Sequence, residues 1–189
     1  KRYGDPTIKA LSDLTVPARL PRNAARAEDW ADYVRHQVSY WYVRFDPAAA
    51  PAWQAYLQTA YKGDIGLYRR LHADDPAVAQ ASSFAAIPLP RETPTAMASL
   101  ADFGGFLEKA VDLRHVRLDT PVIRYREWLA KKFGTVEAMN RAYGTAYRSF
   151  ERVHFPTAQA DWWYMVANRD LVKHDFLVRN YRDVLSYIA

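Results

Sequence analysis

The sequence predicts an all-α fold: a single helical domain, 1–189, of tandem, diverged helix-pair repeats with proline-rich extended connectors. Three observations predict it. Apolar residues recur at three- and four-residue steps along several segments, which is the spacing of one helix face. Helix-boundary chemistry brackets those segments, with Asp or Thr before Pro at one end and Gly at the other. No stretch alternates apolar and polar residues convincingly, so the only strand candidates are short extended pieces at 84–89 and 150–155.

The opening residues carry Pro6, Pro17 and Pro21 and read as loop with one short helix. Trp30, Tyr33, Val34, Gln37, Val38, Trp41 and Phe45 then form one helix face. Asp46-Pro47 ends that helix and starts the next, Asp as N-cap and Pro at the first helical position. The second helix carries Trp53, Tyr56, Leu57 and Tyr61 and ends at Lys62-Gly63. Asp64 caps a short helix through Leu71, Asp75-Pro76 repeats the cap-plus-proline device, and Ser82 to Thr95 reads as extended. Ser99 opens a helix, with Asp102 completing a capping box and Phe103, Phe106, Leu107, Ala110 and Val111 as its buried stripe. Gly104-Gly105 costs roughly 1 kcal/mol per residue relative to Ala, so either another helix packs closely there or the first turn is frayed. Asp119-Thr120-Pro121 caps a helix with Val122, Tyr125, Leu129 and Phe133 inward and Gly134 as its left-handed stop. Thr135 caps a short helix ending at Gly144, and the chain from Asp161 onward reads as helical with a break near Lys173-His174-Asp175.

The same landmarks return in order, which predicts three copies of one unit, approximately 1–60, 61–132 and 133–189. They are an aromatic followed by Gly, a Ser, a hydrophobic-Pro step, an Asp-aromatic pair, and an aromatic with Leu four residues on. The first copy has Tyr3-Gly4, Ser12, Leu20-Pro21, Asp29-Trp30 and Trp53 with Leu57. The second has Tyr61 and Gly63, Ser83-Phe84, Leu89-Pro90, Asp102-Phe103 and Tyr125 with Leu129. The third has Phe133-Gly134, Ser149-Phe150, Phe155-Pro156, Asp161-Trp162 and Tyr181 with Leu185. Ile87 and Val153 take the same place in their copies. Each unit is a helix pair that cannot bury its apolar face alone and stacks on the next.

Composition narrows the function classes. Half of the residues are hydrophobic and a quarter charged, as in ordinary globular domains. The apolar runs are far shorter than the ~20 residues of a membrane-spanning helix. Cysteine is absent, which excludes disulfides, thiolate metal sites and cysteine nucleophiles. The five histidines (His36, His72, His115, His154 and His174) have no pair at helical ligand spacing, so no metal site and no cofactor are expected. A net charge of +5 spread along the chain reads as a solvated basic surface, with no nucleic-acid partner expected. A chain that starts at Lys1 without an initiator methionine or signal peptide, and stops at Ala189 inside a helical pattern, reads as a piece of a longer protein.

Candidate chemistry is sparse. Glu28, Asp29, Asp32, Glu108, Glu127, Glu137, Asp161 and Asp170 fall at helix N-termini or on polar faces, where carboxylates serve the helix dipole or solvent. No GxSxG elbow, phosphate-cradling loop or GxGxxG turn occurs, and no enzyme is expected. With six Trp and thirteen Tyr, the candidate contacts to a partner or a sugar are Trp41, Trp162, Trp163 and Tyr164. Consecutive aromatics on a helix point in different directions, so one of Trp162, Trp163 and Tyr164 faces outward.

The stretch YREWLAKKFGTVEAMNRAYGTAYRSFERVHFP, Tyr125 to Pro156, resembles the segment of glycoside hydrolase family 42 β-galactosidases with the pattern FRxWLxxKYGTxExLNxAWGTxFWS…I..P. Trp128-Leu129, Lys132-Phe133-Gly134-Thr135, Glu137, Asn140 and Gly144-Thr145 carry the match. In those enzymes the segment follows the strand bearing the acid/base glutamate, and that strand is missing here. The resemblance therefore implies a helical module, with Tyr125, Trp128, Leu129, Gly134, Asn140, Gly144 and Pro156 as its structural residues, and nothing catalytic. A second stretch, Phe176 to Leu185, looks like the F…NYxxVL segment that precedes a transmembrane helix on the extracytoplasmic side of carbohydrate ABC transporter permeases. Some such permeases carry a large extracytoplasmic insertion with this β-galactosidase-like repeat. The two resemblances together imply an extracytoplasmic scaffold domain of a sugar importer permease. Its expected partners are the transmembrane part of the permease and the solute-binding protein. A carbohydrate-binding or degenerate glycosidase accessory module is the alternative.

Overall fold

The computed structural model of the chain describes residues 4, 14–76 and 78–153. Among them the protein is mostly helical, with six α-helices and one two-stranded sheet. They fall into two compact units, Val16–Asp119 with Gly4, and the chain from Thr120 onward with Leu14 and Thr15. Pro156, Trp162, Trp163, Tyr164 and the expected helix from Asp161 lie outside the described residues.

In the first unit α1 (Ala24–His36) begins where Asn23 accepts a hydrogen bond from the Arg26 amide at 3.1 Å, and it buries Trp30 and Val34. It is shorter than expected. The apolar spacing continues to Phe45, but the chain leaves the helix after His36, makes a 3-10 turn at Tyr40–Tyr42, and enters β1 (Val43–Phe45). The reason is tertiary: β1 pairs antiparallel with β2 (Val116–Leu118), Val43 opposite Leu118 and Phe45 opposite Val116. Val43, Phe45, Val116 and Leu118 are buried, while Arg44 and Arg117 face each other on the other side. Three-residue strands leave too little alternation to read. The pieces expected to be extended instead hold 3-10 turns at Phe84–Ala86 and Phe150–Arg152.

Asp46 does not cap a helix with its side chain. A 3-10 turn, Pro47–Ala49, leads into α2 (Ala50–Ala60), and the Asp46 carboxylate takes two bonds from Arg19 at 2.8 and 3.1 Å. Trp53 and Leu57 are the buried residues of α2, and the Trp53 indole donates to the Pro88 carbonyl at 3.1 Å. As expected, Asp64 caps α3 (Ile65–Leu71), accepting from the Leu67 amide at 2.8 Å. Asp75-Pro76 starts no helix; the Asp75 carbonyl closes a turn onto the Val78 and Ala79 amides. The next helix, α4 (Met97–Lys109), begins two residues before Ser99, so the expected capping box does not form. Phe103, Phe106, Leu107 and Val111 are buried as expected, whereas Ala110 is exposed.

The double glycine of α4 is a seat for two tyrosines. A Cβ on Gly104 would lie 2.7 Å from the Tyr40 hydroxyl, and one on Gly105 would overlap the Tyr56 hydroxyl. Aromatic rings fill the interior on this face of α4: Phe45 lies 4.7 Å from Phe103 and 5.1 Å from Phe106, and Trp53 lies 5.3 Å from Phe106, centroid to centroid. Burying each such ring contributes about 1.5–3 kcal/mol.

The second unit follows the expected boundaries closely. Thr120 caps α5 (Pro121–Phe133) with Pro at its first position, and Gly134 (φ 72°) ends it. Thr135 caps α6 (Val136–Tyr143), and Gly144 ends it in the left-handed region. Tyr125, Leu129, Met139, Tyr143 and Val153 form one buried cluster, against which Trp128, Phe133, Tyr147 and Phe150 pack. Val122 is only half-buried, and Ile123 takes the buried place beside it.

Candidate functional site

Ser99 and Asp102, which sequence reasoning placed at a helix start, belong to a polar cluster in the interior of the first unit. His72, the C-cap of α3, is fully buried. One ring nitrogen, Nδ1, lies 2.8 Å from the Tyr68 carbonyl, and Nε2 lies 2.9 Å from Oδ2 of Asp102 on α4. Tyr61, just past the end of α2, donates its hydroxyl to the same carboxylate, 3.0 Å from both oxygens. Tyr68 stacks on the imidazole at 4.0 Å, and Phe84 and Tyr61 close the surrounding ring cage. Ser99, one turn before Asp102, donates to Oδ2 of Asp75 at 2.8 Å.

Electrostatics follow from burial. Loss of water raises the Asp102 carboxyl above the usual range, and the hydrogen bonds from Tyr61 and His72 offset part of that rise. Burial and the Asp102 charge together push the Tyr61 and Tyr68 phenols up, which keeps Tyr61 a donor. His72 has no exposed surface and Asp102 has 8 %.

Next to this cluster a recess of about 200 Å³ is lined by Trp53, Tyr68, Asp75, Pro88, Glu92 and Ser99. No group of three or more His, Cys, Asp or Glu side chains among the described residues has metal-binding geometry.

Of the expected contact residues, Trp41 is 58 % exposed and its neighbour Tyr42 38 %. Their turn is held from beneath: Arg44 donates to the Trp41 carbonyl at 2.9 Å and approaches Asp119 at 3.4 Å, and the Thr93 hydroxyl bonds the Tyr40 carbonyl at 2.6 Å. Trp162, Trp163 and Tyr164 lie outside the described residues.

The motif residues of the second unit hold its turns and core together. Asn140 donates to the Tyr147 carbonyl at 2.8 Å and accepts from the Tyr147 amide at 2.9 Å and the Thr145 hydroxyl at 2.8 Å. Trp128 stacks on Tyr125 at 6.0 Å, with the Lys132 ammonium 4.9 Å over its ring.

The His72–Asp102–Tyr61 network escaped sequence reasoning because its members come from three elements. The available signal was an Asp four residues before Phe106, and so on the same side of its helix as part of the buried stripe.

No protein-family model, no curated protein and no solved structure matches the chain. No helix among the described residues is long and apolar enough to cross a membrane.

Proposed function

We propose that the chain is a non-catalytic scaffold domain of an ABC sugar importer permease, lying on the extracytoplasmic side and contacting or positioning the solute-binding protein. In this reading it is assembled from tandem diverged helix-pair units. The observation that carries it is one element order met twice. Helix, 3-10 turn, short strand, helix, short helix and 3-10 turn follow one another from α1 to Phe84–Ala86, with the added turn Pro47–Ala49 before α2, and again from α4 to Phe150–Arg152 without that addition.

The correspondence reaches side chains. Trp53 and Leu57 on α2 stand where Tyr125 and Leu129 stand on α5, and all four are buried. Gln54, next to Trp53, donates to the Ile87 carbonyl at 3.3 Å, while Arg126, next to Tyr125, donates to the Val153 carbonyl at 3.1 Å. Stacked units of this kind expose broad faces and serve as docking surfaces. The placement beside a permease rests on the two sequence resemblances, of which the second, Phe176 to Leu185, falls outside the described residues.

Trp41 is the anchor this reading assigns. Equilibrium binding of the chain to the solute-binding protein of the same importer tests the proposal. Micromolar binding is expected, weakened roughly 30-fold by Trp41→Ala if the indole is a hot spot of about 2 kcal/mol. A second reading, a carbohydrate-binding module, draws on the recess beside Trp53 and Tyr68. An engineered cavity of about 150 Å³ holds one benzene, so this space suits a single ring. Saturable quenching of tryptophan fluorescence by oligosaccharides, with no binding to the solute-binding protein, would establish that reading in place of the first.

A further inference from the structure

We propose that His72 and Asp102 form a pH-gated latch: the pair holds one proton in the folded protein that the unfolded chain does not hold at neutral pH, and loss of that proton loosens the joint between α3 and α4. Donors and acceptors at the site can be counted. An imidazole that has one proton can donate from one nitrogen only. Here both nitrogens face acceptors, the Tyr68 carbonyl at 2.8 Å and an Asp102 carboxyl oxygen at 2.9 Å. A backbone carbonyl has no proton to give, so Nδ1 is the donor on that side. The remaining contact needs a proton as well, either on Nε2 or on the Asp102 carboxyl.

Nothing else at the site supplies it. The one proton of Tyr61 already points at the carboxylate. The groups that face the pair are Tyr56 and Tyr61 from the region of α2, Tyr68 from α3, and Asp75 from the following turn, itself taking the Ser99 hydroxyl. Burial, the largest cause in each case, raises all three phenols above their ordinary value, so they keep their protons through the pH range of the test below. Phe84 is the neighbour from the connector and carries no charge.

This extra proton sets the direction of the pH dependence. In an unfolded chain His titrates near ~6.5 and Asp near ~3.9, so above about pH 6.5 the two side chains together hold only the single N–H of a neutral imidazole. The folded pair keeps one proton more. Stability is therefore full below about pH 6.5 and falls as pH rises through the value at which the folded pair lets its proton go. Without the proton, a lone pair on Nε2 faces an ionised carboxylate in a buried site, an arrangement that low local polarity makes costly.

The test compares unfolding of the wild-type chain with Asp102→Asn from about pH 6.5 to 9.5, a window set by the ordinary histidine value. The amide of Asn can donate to an unprotonated Nε2 and accept from Tyr61, so the variant keeps the bonds without needing the extra proton. The folded-to-unfolded ratio of the wild type is expected to fall by up to about tenfold per pH unit relative to the variant. Equal slopes overturn the proposal. Should Asp102→Asn not fold, nitrogen and carboxyl NMR of the wild type decides: a proton retained on Nε2 or on Asp102 about one unit above the ordinary histidine value supports the latch. An unprotonated Nε2 beside an ionised Asp102 there overturns it.

Discussion

The hydroxyl of Tyr56 rests on Gly105 so closely that a Cβ on that residue would overlap it. The Tyr56 ring is itself hemmed in by Phe106, 5.7 Å away, and by Trp53, 6.1 Å away. Helix propensity alone would favour Ala over Gly by about 1 kcal/mol. The collision reverses that preference, and Gly105→Ala is expected to destabilise by about 1–3 kcal/mol, the range for overpacking. Removing the hydroxyl makes room, so Tyr56→Phe with Gly105→Ala is expected to be more stable than Gly105→Ala alone. Urea midpoints for the four members of this cycle check it, and an unchanged cost of Gly105→Ala in the Tyr56→Phe background would refute the steric account.

Two helix-ending glycines of the second unit are expected to respond differently to Asn. Gly144 (φ 68°, ψ 36°) sits in the left-handed well that Asn tolerates. Gly134 (φ 72°, ψ −47°) lies outside it, in a region strained for any L side chain. Neither has a neighbouring atom that a Cβ would meet, so backbone conformation decides. Gly134→Asn is expected to cost about 1–3 kcal/mol and Gly144→Asn about 0.5 kcal/mol or less. Thermal unfolding of the two variants checks the order, which would be inverted or absent if the turns owed nothing to glycine.

Asp46 supplies a small acid-range term. The hydrogen bond from Arg19 holds its carboxyl below the usual range, with burial pushing the other way. A depressed carboxyl contributes stability that is present above the unfolded value near ~3.9 and is lost as pH falls through the folded value. Both partners are well exposed, at 51 % for Arg19 and 32 % for Asp46, so the contribution stays below about 1 kcal/mol after solvent screening. Arg19→Gln is expected to return the Asp46 titration, followed by carboxyl NMR, to the ordinary range. A titration unmoved by that change would show that Arg19 is not the cause.

Local chemistry was legible wherever the deciding partner lies a few residues away. Asp64, Thr120 and Thr135 cap the helices they precede, and Gly134 and Gly144 stop the helices they follow, because a side chain reaching its own next turn needs no distant partner. Ser99 and Asp102 show the opposite case. Their spacing suits a capping box, yet each found a stronger partner from far along the chain, Asp75 for one and His72 with Tyr61 for the other.

What the sequence by itself determined is the helical class, the boundaries set by caps and glycines, and the apolar residues at Trp53, Leu57, Phe103, Phe106, Tyr125 and Leu129 that the interior buries. Only the tertiary structure decided that the face running from Trp30 to Phe45 breaks into helix, turn and strand, and that His72 meets Asp102. Three- and four-residue spacing records that a residue is apolar, whichever element buries it. Strand pairing and a buried ion pair depend on which distant segment arrives, and Val116–Leu118 and Asp102 arrive through the folding of the whole unit.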